Sequence, residues 1–232
     1  MTSSPVPRWL TALAARAHEI PDVFPRLPPP PDGGRRSAVL ILFGSTGTAV
    51  DVLLTQRAED LRSHPGQVAF PGGAIDPGDS SPEAAALREA QEETGLAPAG
   101  VQVLGSMTDL FLPPSGFVVT PVLAWWTSPE PVGPVDPREV ARVVRVRLDE
   151  LLDPVNRFSV QHPSGYTGPG FAVGGLFVWG FTAGLLARVL AEAGLERPWD
   201  TTRFEPLPDL VSRADRSELL ASDAVAPERG AG

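Results

Sequence analysis

Three carboxylates fall within five residues of the stretch LREAQEETGL, at Glu89, Glu92 and Glu93, with a single arginine, Arg88, beside them. On a helix each residue advances about 100°, so with Glu89 at zero, Glu93 lies at about +40° and Glu92 at about −60°. The acids share one face, and Ala84, Leu87 and Gln91 point roughly the other way, which leaves that side for burial. Arg88 can pair with Glu92 at i,i+4. Glu89 and Glu93 have no cation within a turn on their side, and like charges at that spacing cost a few tenths of a kcal/mol in solvent, more when part-buried. A bound divalent cation removes the repulsion, and an all-oxygen cluster suits Mg²⁺ or Mn²⁺. The competing reading is a solvated acidic face, since glutamate is a good helix former.

The elements that must position these acids can be read from period and punctuation. Ser37–Phe43 and Ala49–Arg57 are apolar, strand-like runs on either side of GSTGT, a hairpin signal. A loop, LRSHPGQVAFPGG, follows with a short apolar piece at Val68 to Phe70. Ser80 followed by Glu83 fits a capping box, Pro82 suits a first turn, and Gly95 suits a helix stop, so the acids ride on a helix ending near Thr94. Further strands are expected at Val101–Gly105, Phe117–Trp126, Val140–Leu148 and Phe171–Trp179, a helical turn at Asp149–Pro154, and a second helix at Thr182–Ala193. An amphipathic helix is expected from Arg8 to Glu19 ahead of a proline-rich connector, Pro21 to Gly34. Short strands with a few helices indicate a mixed sheet flanked by helices, in the α/β or α+β class. The division that follows is residues 1–34 as helix and connector, 35–204 as the main domain, and 205–232 as a polar, mobile tail.

Composition narrows the function. The 232 residues are 42% hydrophobic with a net charge of −9, all 19 cationic residues are arginine, and no basic cluster suggests nucleic acid. The absence of cysteine excludes disulfides and thiolate zinc sites and fits a reducing, cytoplasmic setting. The N-terminus lacks a secretory apolar run, and Phe171–Ala187, broken by four glycines, reads as a buried strand entering a buried helix rather than a membrane span. Trp125, Trp126 and Trp179 lie in apolar runs and read as core.

Arg88 to Leu96, REAQEETGL, resembles the second half of the Nudix box, G-x5-E-x7-R-E-U-x-E-E-x-G-U, with Ala90 at the first aliphatic position. The first half departs: 14 residues separate Gly73 from Arg88 where the consensus has 13, and counting back from Arg88 puts Ser80 at the first glutamate. Leu53 to Gly73, LLTQRAEDLRSHPGQVAFPGG, resembles the signature of the coenzyme A diphosphatase branch, whose spacing after the paired glycines is also one residue longer. Pro113–Trp125 and Val178–Leu186 are similar to that branch as well.

The resemblance implies a Nudix-type α/β/α sandwich and Mg²⁺- or Mn²⁺-dependent hydrolysis of the diphosphate of coenzyme A or an acyl derivative. It implies Glu89 and Glu93 as metal ligands, with Glu92 as a further ligand, a group acting through water, or the base, and a carbonyl near Gly73 as another ligand. Arg88 would orient a glutamate. Arg57 and Arg62 would meet substrate phosphates. His64 and Gln67 are candidates for substrate contact or for fixing their loop, and the Pro113–Gly116 loop for lining the pocket. The expected partner is a small molecule, with no nucleic acid and no membrane, and a homodimer is possible. Two alternatives stand beside this: a Nudix hydrolase of another nucleoside diphosphate compound, and a non-catalytic coenzyme A-binding protein, which Ser80 motivates.

Overall fold

The computed structural model describes residues 4–20, 33–61, 64–112, 116–162, 165 and 167–208. Most of the connector, Arg62, residues 113–115 and the tail from 209 lie outside them.

Helix α1 spans Arg8–Ala14, shorter than the amphipathic pattern suggested, and a 3-10 turn at Ala17–Glu19 continues it. Its Leu10 and Leu13 are buried in the main core, and the Trp125 indole N–H donates to Ser4 O at 2.8 Å, so this segment packs as part of the sandwich.

Strands β1 (Arg35–Thr46) and β2 (Ala49–Arg57) form the expected hairpin, with Gly47 at φ 63° supplying the left-handed residue of its two-residue turn. The two strands pair only near that turn, from Phe43↔Val52 to Thr46↔Ala49, and then diverge. The gap is filled by β3 (Val68–Ala69), which pairs with β2, and β4 (Gly72–Ala74), which pairs with β1. The loop read from LRSHPGQVAFPGG is therefore woven into the sheet.

Helix α2 (Pro82–Thr94) follows, then β5 (Val101–Ser106), β6 (Leu110–Leu112), β7 (Phe117–Trp126) and β8 (Val140–Arg147). β7 runs parallel to β1 from Arg35↔Phe117 to Phe43↔Trp125, β5 and β6 lie antiparallel on β7, and β8 closes the other side on β2. Beyond the short helix α3 (Leu148–Leu152) stands a second antiparallel sheet, β9 (Arg157–Gln161), β10 (Thr167–Val173) and β11 (Leu176–Val178), ahead of helix α4 (Gly180–Glu192). The single strand expected at Phe171–Trp179 is thus two strands bent at Gly174–Gly175, whose φ values of 57° and 69° favour glycine. Phe204, the last residue of the expected main domain, bridges to Ser159 and so joins this sheet.

Alternation in the central strands separates two cores. Ile41, Phe43, Leu123 and Trp125 face the side carrying α1, α4 and the second sheet, while Leu40, Leu42, Val122 and Trp126 face α2. This is the mixed sheet between helices expected from the sequence. Asp51, 3% exposed, ties β2 to β8 through a two-point pair with Arg145 at 2.9 and 2.8 Å. Among the described residues no helix is long and apolar enough to cross a membrane.

Candidate active site

Helix α2 is capped one residue later than Ser80 implied. Ser81 Oγ accepts from the Ala84 N–H at 3.2 Å, and Glu83, freed from a capping box, instead accepts from the Ser106 hydroxyl. Gly95 ends the helix at φ 71°, as expected.

The buried face of α2 differs from the one opposite the acids. Ala85, Ala86, Ala90 and Thr94 are buried, while Gln91 is exposed. Taking Glu89 at zero, Ala85 lies at about −40°, Ala86 at about 60° and Ala90 at about 100°, so Glu89 and Glu93, at zero and about 40°, both fall inside the buried sector. Alanine lets the helix approach the sheet closely, and that closeness carries the two glutamates onto β4. A Cβ built on Gly73 would stand 2.5 Å from Glu89 Cδ, and the Gly72 N–H donates to Glu93 Oε2 at 3.3 Å. The paired glycines are required for different reasons: a Cβ on Gly72 would meet the Ala38 carbonyl oxygen at 2.3 Å, whereas one on Gly73 would displace a carboxylate.

Burial pushes the Glu93 carboxyl up to about 7, the Gly72 N–H and Arg57 oppose that, and the charges of Glu89 and Glu139 add to it. Burial also raises Glu89, offset in part by Arg88. Glu92 is separate from this pair: its side chain is 59% exposed and accepts from Arg88 at 3.0 Å.

Arg88 is the hub of the cluster. It makes a two-point contact with Asp79 at 3.1 and 3.0 Å, donates to Ala74 O at 3.0 Å, and pairs with Glu89 at 3.1 Å as well as with Glu92. Asp79, its side chain 7% exposed, has its pKa lowered by that fork. Counting back from Arg88 reaches Ser80 and suggests a lost acid; counting forward from Gly73 across five residues, 74–78, reaches Asp79. The extra residue therefore lies between Asp79 and Arg88, and an acid does brace the arginine.

Arg57 stands at the end of β2, its N–H bonded to Gln67 O at 2.9 Å and its charge felt by Glu93. Its Nε is buried without a hydrogen-bond partner, an unusual expense for a guanidinium. Gln67 and His64 act through their backbones, the Gln67 N–H donating to His64 O at 3.3 Å, and His64 holds φ 54°, a left-handed conformation uncommon outside glycine. The His64 side chain is exposed. Glu139, on the turn ahead of β8, is a group near Glu93 that no local motif announced; only the pairing of β8 with β2 brings it there.

A NUDIX domain model matches residues 34–165. The chain belongs to the Nudix family. An uncharacterized Nudix hydrolase NudL of Enterobacter sp. (strain 638) is 38% identical over 173 residues, covering 70% of this chain and 85% of that protein. Its namesake in Citrobacter koseri is 38% identical over 180 residues, covering 69% and 84%. Among solved structures, the M. smegmatis Nudix hydrolase RenU is 29% identical, covers 50% of this chain and 73% of that one, and has a TM-score of 0.41. As a Nudix hydrolase the protein acts on phosphorus-containing acid anhydrides.

Nudix hydrolases generally use divalent cations such as Mg²⁺ or Mn²⁺, and the donors present in this Nudix domain fit one. Among the described residues no three histidine or acidic side chains converge as a complete cage. Two carboxylates do meet, Glu89 and Glu93, across the side-chain-free Gly73. Mg²⁺ is commonly held by one or two carboxylates, with waters and substrate phosphates completing the octahedron, so this pair is the right size of donor set.

Proposed function

We propose that this Nudix hydrolase cleaves the diphosphate of coenzyme A or an acyl-coenzyme A to 3′,5′-ADP and (acyl-)4′-phosphopantetheine. The observation that carries the reading is the placement of Leu53–Gly73, the stretch that resembles the coenzyme A diphosphatase signature. Its two ends, Arg57 and Gly72–Gly73, meet Glu93 and Glu89 through the split between β1 and β2.

In this proposal Glu89 and Glu93 hold the cation. The Gly72 N–H fixes one oxygen of Glu93, and Arg88, itself braced by Asp79, turns Glu89 inward. The bound cation supplies charge neutralisation at the diphosphate and a lowered pKa for the attacking water. Arg57 presents its unpartnered Nε to a diphosphate oxygen, a contact guanidinium geometry suits. Glu92, at the exposed rim, acts through water rather than as an inner ligand. Hydrolysis adds hydroxide to one phosphorus and breaks its bond to the bridging oxygen, which leaves as the second phosphate and takes a proton from solvent. Arg62, also expected at the phosphates, lies outside the described residues.

A panel of coenzyme A, acetyl-coenzyme A, ADP-ribose, dinucleotides and nucleoside triphosphates, each with Mg²⁺ and with Mn²⁺, tests this. Release of 3′,5′-ADP from coenzyme A is expected. Turnover of ADP-ribose with coenzyme A untouched overturns the reading.

A further inference from the structure

The buried face of helix α4 is apolar but for one hydroxyl. Thr182, 5% exposed, is buried there together with Ala183, Leu185, Leu186, Val189 and Leu190. A threonine inside a helix can turn its hydroxyl back to the carbonyl one turn earlier. The Thr182 hydroxyl instead leaves its own helix and donates to Val68 O of β3 at 2.9 Å. Valine would fill nearly the same space without a polar atom, so what the threonine adds is this bond.

The Val68 carbonyl has a need for it. Consecutive carbonyls along a strand point to opposite sides, and Gln67 O accepts from the Arg57 N–H of β2, so Val68 O points away from β2. On that side β3 pairs with no strand among the described residues, and Val68 is 6% exposed. The chain beyond runs directly to the site. The Thr55 hydroxyl donates to Ala69 O at 3.3 Å, Phe70 is buried, the Leu40 N–H donates to Pro71 O at 2.8 Å, and the Gly72 N–H donates to Glu93 Oε2 at 3.3 Å. That last bond stands just beyond the usual range of roughly 2.7 to 3.2 Å, so about half an ångström more breaks it. The start of the segment is gripped from the same side of the molecule. Arg142 donates to Gly174 O and Gly175 O in the β10–β11 turn, at 3.1 and 3.0 Å, and to Gln56 Oε1 at 3.4 Å, and Gln56 donates to Gly66 O at 3.3 Å.

We propose that Thr182 is a positioning residue for the site: its hydroxyl fixes the Val68 carbonyl, and the short segment Val68–Gly72 carries that fixation to the Gly72 N–H and so to the Glu93 carboxylate. This rests on the reading that Glu93 is a cation ligand. β3 is two residues long and has few ladder bonds of its own, so a tie from α4 decides how firmly the segment is held. Without the hydroxyl, Val68 O is left buried and unpaired, the segment shifts to find another donor, and the Gly72 N–H withdraws from Glu93. Groups that orient a metal ligand typically carry about 10- to 100-fold of metal affinity, and that is the loss expected here.

Two readouts decide it, one without metal and one with Mg²⁺ alone. In the metal-free protein at pH 8, the Gly72 amide proton, bonded to a carboxylate, should move upfield in NMR spectra of Thr182→Val. By calorimetry Thr182→Val should bind Mg²⁺ about 10- to 100-fold more weakly than wild type. Thr182→Ser keeps the hydroxyl and should restore the Gly72 resonance and most of the Mg²⁺ affinity. Thr182→Ala, a better helix former, replaces the valine variant if that one does not fold. Asp51→Ala weakens the fold at the β2–β8 pair instead, and should leave both readouts where wild type has them. A Gly72 resonance that stays in place when the hydroxyl is removed overturns the proposal. So does an Asp51→Ala variant that moves both readouts as Thr182→Val does, since the effect is then a general loosening. If Glu93→Gln binds Mg²⁺ as wild type does, the ligand reading falls, and a moved Gly72 resonance in Thr182→Val still shows the tie reaching Glu93. If Glu93→Gln loses Mg²⁺ and Thr182→Val does not, the ligand reading stands and the positioning role falls.

Discussion

Glu93→Gln should make the metal-free protein more stable while removing its activity. The Glu93 carboxyl is pushed from an ordinary 4.5 up to about 7, first by burial and then by Glu89, so the folded state binds this proton more tightly than the unfolded chain does. The contribution is fully present below pH 4.5, is lost as pH rises through the window, and is gone above pH 7. At about 1.36 kcal/mol per pH unit, ionising the buried group at pH 8 costs the fold about 3 kcal/mol. Glutamine has nearly the same shape, carries no charge and can still accept from the Gly72 N–H. Urea unfolding in EDTA, followed by tryptophan fluorescence, should therefore find Glu93→Gln up to about 3 kcal/mol more stable than wild type at pH 8 and nearly equal to it at pH 4.5, with an unchanged slope. Adding Mg²⁺ at a hundred times its dissociation constant should return about 2.7 kcal/mol to wild type and little to the variant. The variant should lose orders of magnitude in kcat. Equal or lower stability of Glu93→Gln at pH 8 without metal would refute the burial argument, and near-normal turnover would refute the ligand assignment.

The two glycines should separate by readout: Gly73→Ala, which displaces the mobile end of Glu89, should keep its melting temperature and lose at least about 100-fold in activity. Gly72→Ala strikes the Ala38 carbonyl and should instead cost about 3 kcal/mol or more by thermal unfolding, the range of severe backbone lesions. Asp79→Ala frees Arg88 from its fork and should cost about 10- to 100-fold in activity or metal affinity, and Asp79→Glu should recover part of it, both measured by initial rates against Mg²⁺ concentration. Asp51→Ala leaves Arg145 part-buried without its partner and should lower stability by about 3 kcal/mol in urea titrations, with Mg²⁺ affinity by calorimetry unchanged.

Strand and helix positions were legible where one element carries its own pattern. β2, β7 and the end of α2 at Gly95 fall where periodicity and glycine placed them. What failed to show were features fixed by contact between distant segments. β3 and β4 are two and three residues long, and they exist because β1 and β2 diverge. The buried face of α2 was misjudged because Leu87 and Gln91 seemed to define an inner side; the sheet selects Ala86 and Ala90 instead, since small side chains permit close approach. At the site, the pairing of Glu89 with Glu93 followed from the 3.6-residue repeat alone. The brace on Arg88 is hidden from a count that starts at the arginine, because the extra residue lies between Asp79 and Arg88. Glu139 carries no local signal.

Several local rules are broken together in one neighbourhood. Glu93 sits inside the buried sector of its helix, two glycines occupy strand positions where side chains would add packing, His64 holds a left-handed backbone, and the Arg57 Nε is buried without a partner. A sequence shaped for stability alone would have an alanine at 93 and a lysine or nothing at 57. The two charged departures share one remedy in the proposed complex: a cation would relieve the negative charge at Glu89 and Glu93, and a phosphate the guanidinium at Arg57. A metal–diphosphate complex supplies both at once, and neither the metal nor the diphosphate alone does. Binding of the two should therefore be mutually reinforcing, with linkage requiring that the diphosphate tighten Mg²⁺ by the same factor by which Mg²⁺ tightens the diphosphate.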